Sequence, residues 1–420
     1  MYHPDRALTD RTKDELGLAA VADTVAAKIL AFQPADGLVI GLQSPWGMGK
    51  SSFLNFLTET LGASPQIIVV PFSPWLIDDR NALLQELFAE LSGSLTKKEK
   101  RHSHRWDLEE AKNRREAAHR LRQFARLAAK LKAIPTAPHL SWFKDLMNLP
   151  GLREVAAITG FFISTAAALT PADHTLGELR AEIAARLALL NRKVLVIVDD
   201  VDRLEVAEVR EVFRLIKAVA NFPNTTYIVA FDREPIDLDA RQGDDVARSY
   251  LDKIIQVPIF LPEPEPVDLR RMLTDALLGT SSAAGIINRP LRTVSTPYQK
   301  DSERDRLAEV LDPLVRTYLS SPRRIRIVQN TLMTLWPSVS EDVDASDFLV
   351  FLCLKNFDRP LLAWVDDYLA LRASRRFTTL TTDMTLKLRE RLDELLNATV
   401  KHRFDRLTLL RSLLPAMSAY

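Results

Sequence analysis

Two short stretches carry residue types that phosphate chemistry uses. The first, SPWGMGKSS over Ser44–Ser52, ends in Gly49, Lys50 and Ser51. It follows the phosphate-loop template G-x-x-x-x-G-K-[ST], with Ser44 in place of the first glycine. In such a loop, backbone N–H groups and the start of the next helix point at one anion. Lys50 would reach the β- and γ-phosphates and the Ser51 hydroxyl would hold Mg²⁺. Gly47 and Gly49 allow the backbone to approach closely with positive φ. Ser44 costs little if its φ is negative and about 1 kcal/mol if it is positive. The second stretch, VLVIVDDVDR over Val194–Arg203, runs five apolar residues into Asp199 and Asp200. Asp199 would bind Mg²⁺, directly or through water, and Asp200 would orient or deprotonate an attacking water.

Gly-Lys-Ser alone is a common tripeptide, so the elements around it decide. Leu38, Val39 and Ile40 form a short apolar run before the loop, and Phe53, Leu54 and Leu57 follow at helical spacing. Strand, glycine loop, helix is the order that phosphate binding requires. A fully apolar run such as Val194–Val198 suits a strand covered on both faces of a parallel sheet. Carboxylates at its carboxyl end lie where open α/β sheets bind ligands. IIVVPF, TYIVAFD and KIIQVPIF read as further strands. Val209, Val212, Phe213, Ile216 and Val219 form one helical stripe, stopped by Pro223 and Asn224. The fold class is therefore α/β, a doubly wound parallel sheet with an α-helical insertion and an α-helical C-terminal domain.

These residues, with SPWGMGKSS, FSPWLIDD, VDDVDR, FDRE, YLDKIIQVPIFLP and SPRRIRIVQN in that order, resemble the KAP family of P-loop NTPases over about residues 5–335. Trp46 inside the loop and the DDxDR run are its more specific marks. The resemblance implies a sheet with an extra strand between the P-loop strand and the Walker B strand, and it implies ATP and Mg²⁺ as cofactors. It makes Lys50 and Ser51 the Walker A pair and Asp199 and Asp200 the Walker B pair, with Asp202 and Arg203 completing the run. Nucleotide contacts then fall to Ser44, Pro45, Trp46, Gly47, Met48, Gly49, Lys50, Ser51 and Ser52, and metal contacts to Ser51 and Asp199. Asp232 sits near the sensor position. The family usually has glycine at position 44 and serine at position 48, so both departures bear on the rate more than on binding. Bacterial members resemble phage-exclusion and antiphage ATPases, including the ATPase subunit of Qat-type systems. That implies protein partners in a defence or regulatory complex, with a homo-oligomer left open. The function implied is Mg²⁺-dependent ATP hydrolysis in a switch or remodelling subunit. A non-hydrolysing ATP-dependent scaffold and a nucleic-acid-activated ATPase are the alternatives.

Lys50 and Asp199 lie 149 positions apart, so an insertion separates the two halves of the site. The expected boundaries are 1–80 and 186–262 for the core, 81–185 for the insertion and 263–420 for a helical lid. Residues 155–172 carry no charge, yet a single membrane span would part Lys50 from Asp199, so 155–170 reads as a buried or partner-covered helix, with membrane contact as the lesser alternative. From Lys97 to Lys132 there are 13 Lys/Arg and 5 Asp/Glu, a local charge of +8. This segment is open to three readings: a surface helix packed by its apolar stripe, a nucleic-acid contact, or a contact with an acidic protein or membrane surface. His102 and His104 are too few for a metal site. Ser321 and Pro322 open a helix as N-cap and N1. The resemblance to sensor-type P-loop ATPases, whose helical lids offer an arginine to the γ-phosphate, makes Arg323, ahead of Arg324, the candidate for that role; a surface arginine free of phosphate is the other reading of it. Arg203 is the alternative, as a finger for a neighbouring subunit.

Pro262, Pro264 and Pro266 mark a linker, and Ser281–Asp305 reads as a long mobile loop. The apolar ending LLPAMSAY fits a docking end or a chain that continues. The 420 residues predict two or three units. Net charge +1 gives no global field for nucleic acid. A single cysteine, Cys353, allows no internal disulfide and, with a polar start lacking a secretory signal, sets the expected location as cytoplasmic.

Overall fold

The computed structural model describes residues 6–32, 37–76, 80–97, 105–132, 176–219, 222–234, 251–280, 283–287, 291, 293–295, 300–374, 382–398 and 400–414. The expectations for 155–170, for His102 and His104, and for the last six residues lie outside them. The described residues form two compact units, one within Ala7–Trp46 and Lys50–Pro262, the other of Arg6, Gly47–Gly49 and the described residues from Glu263 onward.

The first unit is built on five parallel strands: β1 (Leu38–Gln43), β2 (Ile67–Phe72), β3 (Lys193–Val198), β4 (Thr225–Phe231) and β5 (Val257–Phe260). Their order is β2-β3-β4-β1-β5, so β4 stands between the loop strand β1 and the acidic strand β3. The extra strand implied by the sequence resemblance is present. Strand alternation serves two cores. Val194, Val196 and Val198 of β3 face one of them, with Tyr227 and Val229 of β4. Leu195 and Ile197 face the other, with Ile228 and Ala230. The second face is covered by α1 (Leu18–Ala31) and α2 (Lys50–Gly62), whose Phe53, Leu54 and Leu57 are all buried. The first face is covered by α3 (Arg80–Thr96), α4 (Arg105–Lys132), α5 (Leu176–Ala188) and α6 (Val206–Val219). The inserted helices therefore share the core of the sheet. Phe88 of α3 makes this concrete, with ring centroids 5.2 Å from Phe124 of α4 and 6.3 Å from Phe222 ahead of β4.

Two polar devices fix the sheet ends. Lys193 donates its Nζ to Leu30 O (2.6 Å), Ile29 O (3.2 Å) and Phe32 O at the carboxyl end of α1, where a cation meets unpaired carbonyls. Burial pushes its pKa below the ordinary lysine value. Asn224 adopts φ 57°, and its Nδ2 donates to Leu187 O and Leu190 O, closing the turn before β4.

The second unit is mostly helical, from α7 (Pro266–Leu278) through α8 (Glu303–Thr317), α9 (Pro322–Val339), α10 (Ala345–Phe357), α11 (Arg359–Ser374), α12 (Thr382–Asn397) and α13 (Arg403–Leu413). Pro266, read from sequence as linker, is the first helical residue, where the missing N–H costs nothing. The loop expected over 281–305 is also corrected. Its described part contains β7 (Ala283–Ala284), which pairs antiparallel with β6 (Gly279–Thr280) just before it, the antiparallel pair β8 (Thr293–Ser295) and β9 (Lys300–Ser302), and the start of α8. After β7, Ile286 N and Ile287 N bond Ala276 O and Leu277 O, and a Cβ on Gly285 would lie 2.3 Å from the Leu278 carbonyl carbon. Only glycine permits that approach.

Among the described residues, no helix is long and apolar enough to cross a membrane.

Candidate phosphate-binding site

The loop leaves β1 at Gln43 and enters α2 at Lys50, so the helix N-terminus opens at its end. Gly47 and Gly49 take φ 85° and 97°, which an L-residue rarely adopts. Ser44 and Met48 are not among the described residues with positive φ, so neither departure from the usual loop strains the backbone. Ser44 and Met48 are buried, as is Ser52, whose Oγ accepts Leu8 N at 2.9 Å. Ser51 is half-buried in the first turn of α2, and Pro45 is half-buried in the loop. Trp46 is 55% exposed.

Lys50 is 7% exposed and its ammonium is fully engaged. Nζ donates to Ser44 O (2.7 Å) and Pro45 O (3.2 Å) and pairs with Asp202 Oδ2 at 2.7 Å. Sequence reasoning set Lys50 toward Asp199 and Asp200; the observed ion pair is made by Asp202, three positions further along the same turn. Asp202 is 10% exposed, and burial raises its carboxyl pKa while Lys50 opposes the rise. Its Oδ1 accepts Asp232 N at 2.6 Å, at the carboxyl end of β4. Asp232 Oδ2 then accepts Trp46 N at 3.1 Å. Loop, β3 turn and β4 turn are thus joined in one closed circuit. The sequence signal for it was the third acidic position of DDxDR, to which spacing alone assigned no partner.

Asp199 follows β3 directly and its N donates to Phe72 O at 3.1 Å, which pins the ends of β2 and β3 side by side. Asp199 Oδ1 accepts Asp200 N at 2.8 Å. Asp200 stands at φ 61°, the left-handed region that aspartate enters more readily than most residues. A single 3₁₀ turn, Val201–Arg203, follows. Residues three apart in such a turn eclipse each other, and Arg203 Nη2 meets Asp200 Oδ1 at 2.8 Å. Trp75, just after β2, carries the Arg203 guanidinium 4.7 Å from its ring centroid. FSPW thus meets DDxDR through an aromatic–cation contact that the sequence did not reveal. Arg203, weighed as a finger for another subunit, is engaged within its own chain. Burial, then the Asp199 charge, raise the Asp200 pKa, and Arg203 opposes them.

Arg323 lies half-buried in the first turn of α9, whose N-cap Ser321 accepts Arg324 N, with Pro322 next. Arg324 is committed locally, with its guanidinium 5.2 Å from the Phe357 centroid and Nη1 donating to Tyr318 O.

Among the described residues no group of three or more His, Cys, Asp or Glu side chains could hold a metal ion. A divalent cation would rest on the hard oxygens of Ser51 and Asp199 and on the phosphates it accompanies. That donor set suits Mg²⁺, which keeps several waters and few protein ligands. The loop also fits a nucleotide: glycine φ values, a helix N-terminus and a buried ammonium meet at one place.

The family described as the KAP family P-loop domain matches residues 18–339. The chain is 29% identical over 391 residues to the phage T7 exclusion protein of Escherichia coli (strain K12), covering 88% of this chain and 48% of that protein. It thus spans about half the length of that relative. Among solved structures, the Aeropyrum pernix ORC1 protein in complex with DNA aligns over 98% of this chain and 94% of its own, with 12% identity and a TM-score of 0.34, too slight a likeness to carry an argument.

Proposed function

The chain belongs to the KAP family of P-loop NTPases, and from that membership we propose that it binds ATP with Mg²⁺ and hydrolyses it as a switch or remodelling subunit in phage defence. The observation that carries the reading is the buried Lys50–Asp202 pair at the mouth of the glycine loop. An ammonium held by one carboxylate and two loop carbonyls is a cation kept in reserve for a more highly charged anion.

In this reading the loop N–H groups and the start of α2 receive the phosphates, and Lys50 turns from Asp202 to them. Ser51 and Asp199 would hold Mg²⁺, which would neutralise charge on the phosphates. Asp200 orients the water that attacks the γ-phosphorus and takes its proton as the bond to the ADP oxygen breaks. Burial beside Asp199 raises the affinity of Asp200 for that proton. Arg323 is the cation offered to the γ-phosphate from the helical lid. The defence role, with protein subunits as partners and a cytoplasmic setting, rests on the likeness to the phage T7 exclusion protein.

The test pairs calorimetry with phosphate release. Wild type should bind Mg–ATP and release phosphate. Lys50→Ala should abolish binding, and Asp200→Asn should bind normally while turnover falls by about 10²-fold or more. Full turnover in Asp200→Asn would remove the base from this scheme. Binding without turnover in wild type would leave an ATP-dependent scaffold.

A further inference from the structure

The inserted helix α4 sorts its charges by face. Lys112, Arg115, His119, Arg122 and Arg126 are all exposed and recur at spacings of three, four, three and four residues. That spacing draws one continuous line along the helix, about 21 Å long at 1.5 Å per residue. None of the five makes an ion pair with a described residue. Of the helix's carboxylates, Glu116 and Glu110 turn to the other side, where Arg186 (2.7 Å) and Arg192 (3.1 Å) meet them, and the exposed Glu109 stands three residues before Lys112, ahead of the basic line. Arg120, between the faces, pairs with Glu182 at 2.7 Å. A solvated helix face ordinarily mixes signs, because like charges three or four apart repel by a few tenths of a kcal/mol per pair. Here two such pairs, Lys112 with Arg115 and Arg122 with Arg126, stand on one face, while the chain as a whole carries only +1.

We infer that this outer face of α4 docks on the phosphate backbone of a nucleic-acid duplex. The occupant must be anionic and present its charge along a straight line of about 20 Å. A duplex does so because it stays stiff over far longer distances, whereas a single strand coils. An anionic membrane fits less well. An interfacial helix sinks an apolar face among the lipid chains, and Ala117, Ala118, Leu121, Phe124 and Ala125 of α4 are already buried in the core. Phosphate contacts carry no sequence information, so the surface reads duplex form rather than base order. The inference stands on α4 alone and is independent of ATP hydrolysis.

The experiment is fluorescence anisotropy of the full chain with a labelled 20-base-pair DNA duplex between 50 and 200 mM salt. Wild type should bind, with log K falling against log salt at a slope of about −3 to −4, as four lysines and arginines require. Arg115→Ala with Arg122→Ala should lose at least tenfold in affinity at low salt and about two units of slope. The melting temperature should hold, because both side chains are exposed. A second duplex of unrelated sequence should bind equally. Absence of binding at 50 mM salt, an unchanged slope in the double variant, tighter binding of single strands, or displacement by phosphatidylserine vesicles alone would each overturn the proposal.

Discussion

At the scale of single residues, the Lys50–Asp202 pair has opposite consequences in the empty and the occupied site. Both groups are nearly buried, so removing one leaves the other charged and unsolvated. Asp202→Asn should destabilise the empty protein by about 3 kcal/mol, since breaking a buried pair typically costs that much. Phosphates would satisfy the stranded ammonium, so saturating Mg–ATP should raise the melting temperature more in the variant than in wild type. A smaller rise in the variant, read by differential scanning fluorimetry, would count against Lys50 as the phosphate cation. Trp75 acts at one remove. A cation–π contact contributes about 0.5–2 kcal/mol to holding Arg203, and through it Asp200. Trp75→Leu should lower kcat up to about tenfold with the ATP Kd unchanged, and Trp75→Phe should recover much of the rate. Equal losses in kcat and Kd would make Trp75 a packing residue only. Residue types were legible here, because Gly-Lys-Ser and an acidic pair at a strand end have few other uses together. Partners were not, because spacing along the chain does not say which of three nearby carboxylates reaches a lysine 150 positions away.

The elements were the more legible part where hydrophobic runs are long. Val194–Val198 suits a strand covered on both faces, and two cores do cover it. The stripe of α6 was equally plain, with Val209, Val212, Phe213 and Ile216 buried. Illegible elements were those with little or no periodicity: strands of two and three residues between Gly279 and Ser302, and a helix starting on a proline that looked like linker. Gly41, inside β1, is a third kind of case. Its φ is unremarkable, but a Cβ there would stand 2.9 Å from two carbons of Ile255, a residue 214 positions away. Gly41→Ala should therefore cost about 1–3 kcal/mol by overpacking, and Ile255→Val in the same chain should return part of it. Additive losses in a urea double-mutant cycle would show that the two do not touch. Phe88→Ala, which empties the seam between α3, α4 and the sheet, should cost about 3–5 kcal/mol by the same denaturation assay.

For the molecule as a whole, the near-zero net charge hides local segregation, and the helical unit shows it as clearly as α4 does. Arg306 sits among Glu303, Asp344 and Asp347, pairing with Asp344 at 3.3 Å and hydrogen-bonding Asp347 in the first turn of α10. Burial first, then the neighbouring Asp344, push the Asp347 pKa up to about 6, although Arg306 opposes them. The folded chain therefore holds a proton on Asp347 that the unfolded chain has already released between about pH 4 and 6. The stabilising contribution is complete below the unfolded value near 3.8 and is lost as pH rises through about 6. Asp347→Asn has no proton to lose, so its melting temperature should gain on wild type from pH 4 to pH 7. The carboxylate is about one-third exposed and partly screened, so a relative shift of about 1 kcal/mol, or roughly 2–4 °C, is the expected size. Parallel melting curves for the two chains across that range would mean that Asp347 titrates no differently in the folded and unfolded states. Composition could not have singled this residue out among 55 acids; burial beside a second carboxylate, a situation it shares with Asp200, sets it apart from most of them.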